Sequence, residues 1–585
     1  MGRKRGTMRG SRIELLDVSA LGYEERLLAS ALQGLVNRAA SEGREEGSRL
    51  FLDYGAYDDP SSRRTNSVMM TEEDWFGRYR EFLATSDLDN LDYYRGAYGI
   101  EAERLEGLDD AVRRHRSLIR GLAVYDPEFE ASVNLALVYA GLDDLLVAPP
   151  SLLPWAQGFG LDVIQDLRGR FGDRAELYRW AFENLRPRCK KGAVACYEPA
   201  WKRPEFADYI VENRLFVIGL SSFEKGALRD RGRDILLFLA AGPWALRKIA
   251  FGLRLDKPLR RLALRLLSAG SRETALMLRV LRAVEALPYP TVFGWHVDRD
   301  DELSFMLLVS ACGARLVPTF MASNFSFHSG LPARASFTQP HVDPAAVKLE
   351  EDKVYLSFTL SDGDQLALMN TAELGGFRRP ERGSVPFNWE VQPLLAELAP
   401  ALLGFYFSRL TPNDLLVAGP SGAGYVIPPL VPDLAAYFRA SAAVCAKAGI
   451  KVVTSYNGDP PKRVLRDHGS AEGILGFMAG YFHLGRKPAY LVGGKAFVAN
   501  SWPSADAIGA SRDETLEGIR ALVEAEGPLP RFVGCHLFAY RTNVADVAAF
   551  ARTLDPAKVK IVRGDEFLAA AALWMRKGIK GGSHV

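Results

Sequence analysis

From residue 344 onward the chain repeats one pattern, a short apolar run followed by an amphipathic stretch, and no other feature constrains its fold as tightly. The spacing predicts strands at 354–359, 402–407, 415–418, 451–455, 473–477, 489–492, 532–538 and 559–562. Helices are expected between several of them, at 393–398, 432–448, 512–525 and 544–553. Eight strands with helical crossovers describe a (β/α)8 barrel. Two of these strands are short and no helix separates the second from the third, so the expectation for 344–585 is a distorted TIM-like barrel.

The 585 residues exceed what one hydrophobic core serves, which predicts two to four domains. Upstream of the barrel the pattern is also α/β: a helix over 27–38, a strand over 49–54, and a polar, turn-rich loop over 58–67. A strand–helix–strand order at 121–125, 133–141 and 145–148 points to a parallel sheet. We therefore expect an N-terminal α/β domain at 11–120, a second at 121–215, and a helical and α/β middle region at 216–343. Within that middle region 223–287 reads as almost wholly helical, followed by a strand at 288–295 and a helix at 301–312.

A glycine-rich segment, Gly419-Pro-Ser-Gly-Ala-Gly-Tyr-Val-Ile-Pro428, caps the apolar run that starts at Asp414. It closely resembles the signature of the GxGYxYP family, with Ile427 standing where the family name has tyrosine. Ser361-Asp-Gly-Asp-Gln365 is similar to that family's SDGDN, and Leu32-Gln-Gly-Leu-Val-Asn-Arg38 to its LQGLVNR. Further similar stretches are Tyr125-Asp-Pro127, Asp166-Leu-Arg-Gly169, Gly294-Trp295 and Asn324-Phe-Ser326. The resemblance implies a glycoside hydrolase whose C-terminal barrel is like the TIM fold.

Barrel enzymes gather their chemistry where strands end, because the loops there converge on one face. Asp362 and Asp364 follow the first expected strand, and Asp565 and Glu566 the last, its neighbour in a closed barrel. Glycoside cleavage needs two carboxyl groups in different environments, which these pairs could supply. The bland alternative is that the Ser361–Asp364 turn bonds its own backbone and that Asp565 caps the final helix. Glu302, at the start of a helix where the resembling family carries an acidic segment, is a further candidate, set against a simple helix-dipole role. Substrate-binding candidates are Trp295 and Trp389 for their aromatic faces, Asn324, and Ser421, Gly422, Gly424 and Tyr425 of the glycine-rich loop. Tyr456, Asn457, His536 and Tyr540 also fall at strand ends, although His536 lies within a strand and could be a core histidine.

The leading expectation is thus a glycoside hydrolase acting on a carbohydrate ligand, with no cofactor and no metal. One rival is a carbohydrate-binding protein without turnover, favoured by Ile427 and by Gln365 in place of the family asparagine. Another is a metal-dependent sugar-nucleotide enzyme, because Asp362 and Asp364 have the spacing of a divalent-ion pair.

A formal net charge of +2 provides no global field for gripping nucleic acid. The five cysteines are scattered and lack zinc-site spacing, so buried free thiols are expected. The basic N-terminus lacks an apolar signal region, which points to the cytoplasm, while the resembling family includes many secreted members. No segment reaches the roughly 20 apolar residues of a transmembrane span. A basic amphipathic stretch, Arg247 to Arg265, reads either as a solvated helix face or as a surface for an anionic membrane.

Overall fold

The computed structural model describes residues 12–44, 48–55, 88–284, 289–363, 365–370, 376–456, 460–481 and 489–578. The polar loop expected at 58–67 lies outside these residues, as do Asp364 and Asn457.

Among the described residues three small parallel sheets precede the barrel. Strands β1 (Arg12–Asp17), β2 (Ser48–Asp53) and β3 (Glu101–Arg104) form the first, with β1 central. The second holds β4 (Gly121–Val124), β5 (Leu145–Ala148) and β6 (Val163–Asp166), with β4 central. The third runs in the order β10-β9-β7-β8, from β7 (Ala193–Cys196), β8 (Phe216–Ile218), β9 (Thr291–Gly294) and β10 (Arg315–Pro318). It spans both sides of the boundary expected at residue 215. Between β8 and β9 the chain forms four helices, Ala227–Ala241, Trp244–Gly252, Asp256–Ser268 and Arg272–Arg282.

The Leu32–Arg38 segment is the clamp between these sheets. It lies on the helix Tyr23–Glu42, where Gln33 and Asn37 donate to Leu50 O of β2 and also reach Asn324 and Ser326. Buried Arg38 donates to Gly141 O and Val211 O and pairs with Asp144. A side chain at Gly34 would meet Asp208 O at 2.4 Å, so only glycine lets the helices approach. Asn324 exchanges hydrogen bonds with the Leu52 backbone, which makes it a structural connector and removes it from the substrate-binding candidates.

The barrel is a closed seven-strand parallel one, β11 (Val354–Leu360), β12 (Phe387–Val391), β13 (Asp414–Ala418), β14 (Val452–Ser455), β15 (Gly476–Ala479), β17 (Lys495–Trp502) and β18 (Arg531–Leu537). β16 (Ala489–Val492) pairs antiparallel with β17 outside the ring. The last strand, β19 (Val559–Ile561), does not take an eighth place. β18 pairs with β11 along all of it, so β19 joins the start of β11 on the other side, where β12 takes over at Thr359. The run 402–407, expected as a strand, is part of the helix Pro400–Phe407. Nearly all of it is buried, so its sequence carries no period to separate helix from strand, and Pro400 suits a first helical turn. Cys189, Cys196, Cys445 and Cys535 are buried and Cys312 partly so, all as free thiols. Among the described residues no single helix is long and apolar enough to cross a membrane.

Candidate functional site

Pleating of β12 turns Asn388 and Glu390 into the barrel and Trp389 away from it. Trp389 is wholly buried against Phe377 and Phe387, its indole N–H held by Asp414 at 2.9 Å, so it is a core residue and no sugar platform. Glu390, also fully buried, receives three side chains. Thr454 donates from β14 at 3.0 Å, Tyr481 donates at 3.1 Å, and His536 Nε2 of β18 lies 2.6 Å from its other oxygen. The far nitrogen of His536 faces Gly480 O at 3.0 Å and the Ser504 hydroxyl at 2.7 Å. Two glycines vacate the space for this pair: a Cβ at Gly419 would fall 1.8 Å from Glu390 Oε1, and one at Gly480 2.7 Å from His536 Nδ1.

Asp362 stands just past the end of β11 and takes a left-handed backbone, φ 65°, uncommon for a side-chain-bearing residue outside tight turns. It stays partly accessible. Burial, then the charges of Glu302 and Glu390, push its carboxyl well above the usual carboxylate range.

Glu302 comes from outside the barrel, at the first turn of the helix Glu302–Ala311 that follows β9. Its side chain is solvent-exposed, yet its surroundings are crowded enough for desolvation to raise its pKa. The Tyr425 hydroxyl donates to its carboxyl at 3.0 Å and opposes that rise.

The glycine-rich loop makes this meeting possible. Tyr425 exchanges both backbone hydrogen bonds with Leu316 of β10, and Ile427 N–H donates to Ser310 Oγ on the Glu302 helix. Gly424 adopts φ 108° where a Cβ would strike the Arg315 side chain at 2.7 Å, so glycine serves both the turn and the close approach. Ser421 accepts from Tyr456 N–H, and Tyr456 lies between Tyr425 and Tyr481, at ring separations of 5.3 and 4.7 Å. A line of tyrosines therefore links Glu302 to Glu390.

Of the residues singled out from sequence, the structure brings Glu302, Asp362, Ser421, Gly422, Gly424, Tyr425, Tyr456 and His536 into this one region. Trp295 lies seven residues before Glu302, buried and stacked on Phe320 at 5.7 Å. Tyr540 packs on Phe538 beyond β18. Asp565 and Glu566 do not meet Asp362. Asp565 is buried against Arg563 and accepts from Val342 N–H, while Glu566 pairs with Lys560, which also holds Glu350 just before β11. Because β19 joins the beginning of β11, both acids lie toward the opposite end of the barrel. Sequence reading missed Glu390 and Tyr481. The signal for Glu390 was present, since Phe387-Asn-Trp-Glu-Val alternates as a strand does. Among the described residues no group of His, Cys, Asp and Glu is arranged to hold a metal ion.

The fold and site define a class: a parallel barrel whose strand-end loop pairs with a second α/β sheet, so that carboxyls from the two come near each other. Residues 352–572 match the family profile described as "GxGYxYP putative glycoside hydrolase C-terminal domain", and residues 119–189 match "GxGYxYP_N second domain". Over these regions the chain belongs to the GxGYxYP family. A crystal structure from Bacteroides thetaiotaomicron VPI-5482, described as a putative hydrolase, shares the fold. It covers 98% of each chain with a TM-score of 0.68 at 19% identity. No curated protein matches the sequence.

Proposed function

We propose that the protein is a glycoside hydrolase in which Asp362 is the general acid and Glu302 the ionised partner. The carrying observation is that, among the described residues, Asp362 and Glu302 are accessible where Glu390 is buried, and that the charge of Glu302 raises the proton affinity of Asp362. Two acids whose proton affinities are raised to different degrees match the division of labour that glycosidic cleavage requires. Asp362 would give its proton to the leaving oxygen as the bond to the anomeric carbon breaks. Glu302, held by the Tyr425 hydroxyl, would attack that carbon or take a proton from the attacking water. Glu390, wholly buried beside His536, acts as a positioning residue that fixes the cluster and raises the proton affinity of Asp362. The family description, and the description of the Bacteroides protein as a hydrolase, support the reaction class.

A panel of aryl glycosides and oligosaccharides tests this reading. On a substrate that the parent cleaves, Asp362→Asn and Glu302→Gln should each lose about 10²–10⁴-fold in kcat with an unchanged melting temperature and retained binding. Near-normal turnover in both variants would refute the assignment.

A further inference from the structure

The two middle helices of the 227–282 insertion present an outward surface whose chemistry the barrel site does not use. On Trp244–Gly252 the exposed positions are Ala245, Leu246, Lys248, Ile249 and Gly252; on Asp256–Ser268 they are Lys257, Pro258, Arg261, Leu262 and Arg265. Each set follows the three-to-four-residue spacing of one helix face. The connecting turn exposes Leu253 at 67%, with Arg254 and Leu255 beside it, and Leu246 and Ile249 are each 55% exposed. With Leu255 at 43% and Leu262 at 45%, five large aliphatic side chains are exposed on one short hairpin, where soluble surfaces scatter them singly.

The charges on the same surface have one sign. Lys248, Arg254, Lys257, Arg261 and Arg265 are exposed, and none has an ion-pair partner among the described residues. The acid of this stretch, Asp256, is turned inward and paired with Arg463. Arg260 likewise points inward, to Leu430 O, and Arg247 to Leu239 O. The hairpin is thus anchored by its inner face, and its outer face cannot rotate inward to hide the leucines. The exposed acids of the preceding helix, Asp230 and Asp234, flank Gly232, which packs on Ala263 and Leu267 in the second half of Asp256–Ser268.

We propose that residues 244–265 dock the protein on an anionic lipid surface. The apolar residues around the turn would enter the acyl boundary, and the five cations would face the headgroups. An apolar centre rimmed by unpaired cations is complementary to anionic lipid in both respects, and neither helix is long enough to span the bilayer.

The test is co-sedimentation of the full chain with phosphatidylcholine vesicles containing 30% phosphatidylglycerol, against phosphatidylcholine alone, at 0.05 and 0.5 M NaCl. Binding should require the anionic lipid and weaken at high salt. The triple variant Lys248→Gln/Arg254→Gln/Lys257→Gln should weaken binding at low salt by about fivefold per removed cation. Leu246→Ser/Ile249→Ser/Leu253→Ser should lower it at least about tenfold at either salt. Circular dichroism checks the fold of both variants, and light scattering without vesicles reports self-association. Absence of binding to anionic vesicles overturns the proposal, as does equal binding by folded variants of both kinds. A dimer that only the apolar variant disrupts, with no vesicle binding, would instead assign the face to a second copy.

Discussion

Replacing Gly419 by alanine isolates the contribution of the buried carboxyl. Gly419 is not among the residues with a left-handed backbone, so alanine adds a methyl group without backbone strain. That methyl would fall 1.8 Å from Glu390 Oε1 and 2.2 Å from Thr454 Oγ1. Ordinary contact lies near ~3.5 Å, so the carboxyl must retreat by about 1.7 Å. Contacts now at 2.6, 3.0 and 3.1 Å, to His536, Thr454 and Tyr481, would be lengthened past hydrogen-bond range or rebuilt elsewhere.

Stripping a fully buried carboxyl of its hydrogen-bond partners costs about 3 kcal/mol or more. In a barrel of this size each kcal/mol moves the melting temperature by roughly 2–4 °C, which predicts a fall on the order of 10 °C. Calorimetry measures it, with Gly96→Ala as control, since Gly96 lies in the helix Leu88–Tyr98 and a Cβ there meets nothing within 4 Å. The control should gain about 0.5–1 kcal/mol. Gly419→Ala should also lower activity, because Asp362 would lose a neighbouring charge. A variant that melts within about 2 °C of the parent would refute the idea that Glu390 is locked in place.

Two further outcomes are expected. Tyr425→Phe removes the donor that opposes the raised pKa of Glu302, so the acidic limb of the kcat profile should move to higher pH, as a pH series on a cleaved substrate would show. Burial pushes the Asp208 carboxyl from its ordinary 3.8 up to about 7, so its neutral form favours the fold at low pH and that contribution is lost as pH rises toward 7. Asp208→Asn should therefore be near neutral at pH 4 and stabilising by up to about 4 kcal/mol at pH 8, read from denaturant unfolding at both values.

How much of this was legible in the residues depends on which face each strand shows. β11, β13, β14 and β18 could be read because apolar residues predominate in each, with polar side chains such as Ser357, Thr454 and His536 interspersed. β12 could not be read as an apolar run, since Asn388 and Glu390 line the polar end of the barrel interior; the eye goes to Trp389 instead, which turns outward. β17 was hidden by its neighbour β16, although Gly493-Gly494 between them marks a two-residue hairpin, with φ of 54° and 79° that suit glycine. The Asp565 assignment assumed that the last strand closes the ring beside the first. Strand order along the chain does not say on which side β19 joins β11, and only the pairing of β18 along all of β11 excludes the expected place.

The glycine-rich loop makes the departure at Ile427 compatible with its contacts to the neighbouring sheet. The loop grips the neighbouring sheet through its backbone, at Tyr425 against Leu316 and at Ile427 N–H against Ser310 Oγ. The Ile427 side chain is 2% exposed and belongs to the apolar core. A residue that acts through its amide and fills a buried space tolerates a change of side chain better than one that donates from a hydroxyl. Tyr425 is the opposite case, because its hydroxyl reaches Glu302 across the junction. The junction, more than the barrel, therefore holds the candidate site together: the barrel brings Asp362 and Glu390, and the loop ties the helix that bears Glu302 to the strand ends.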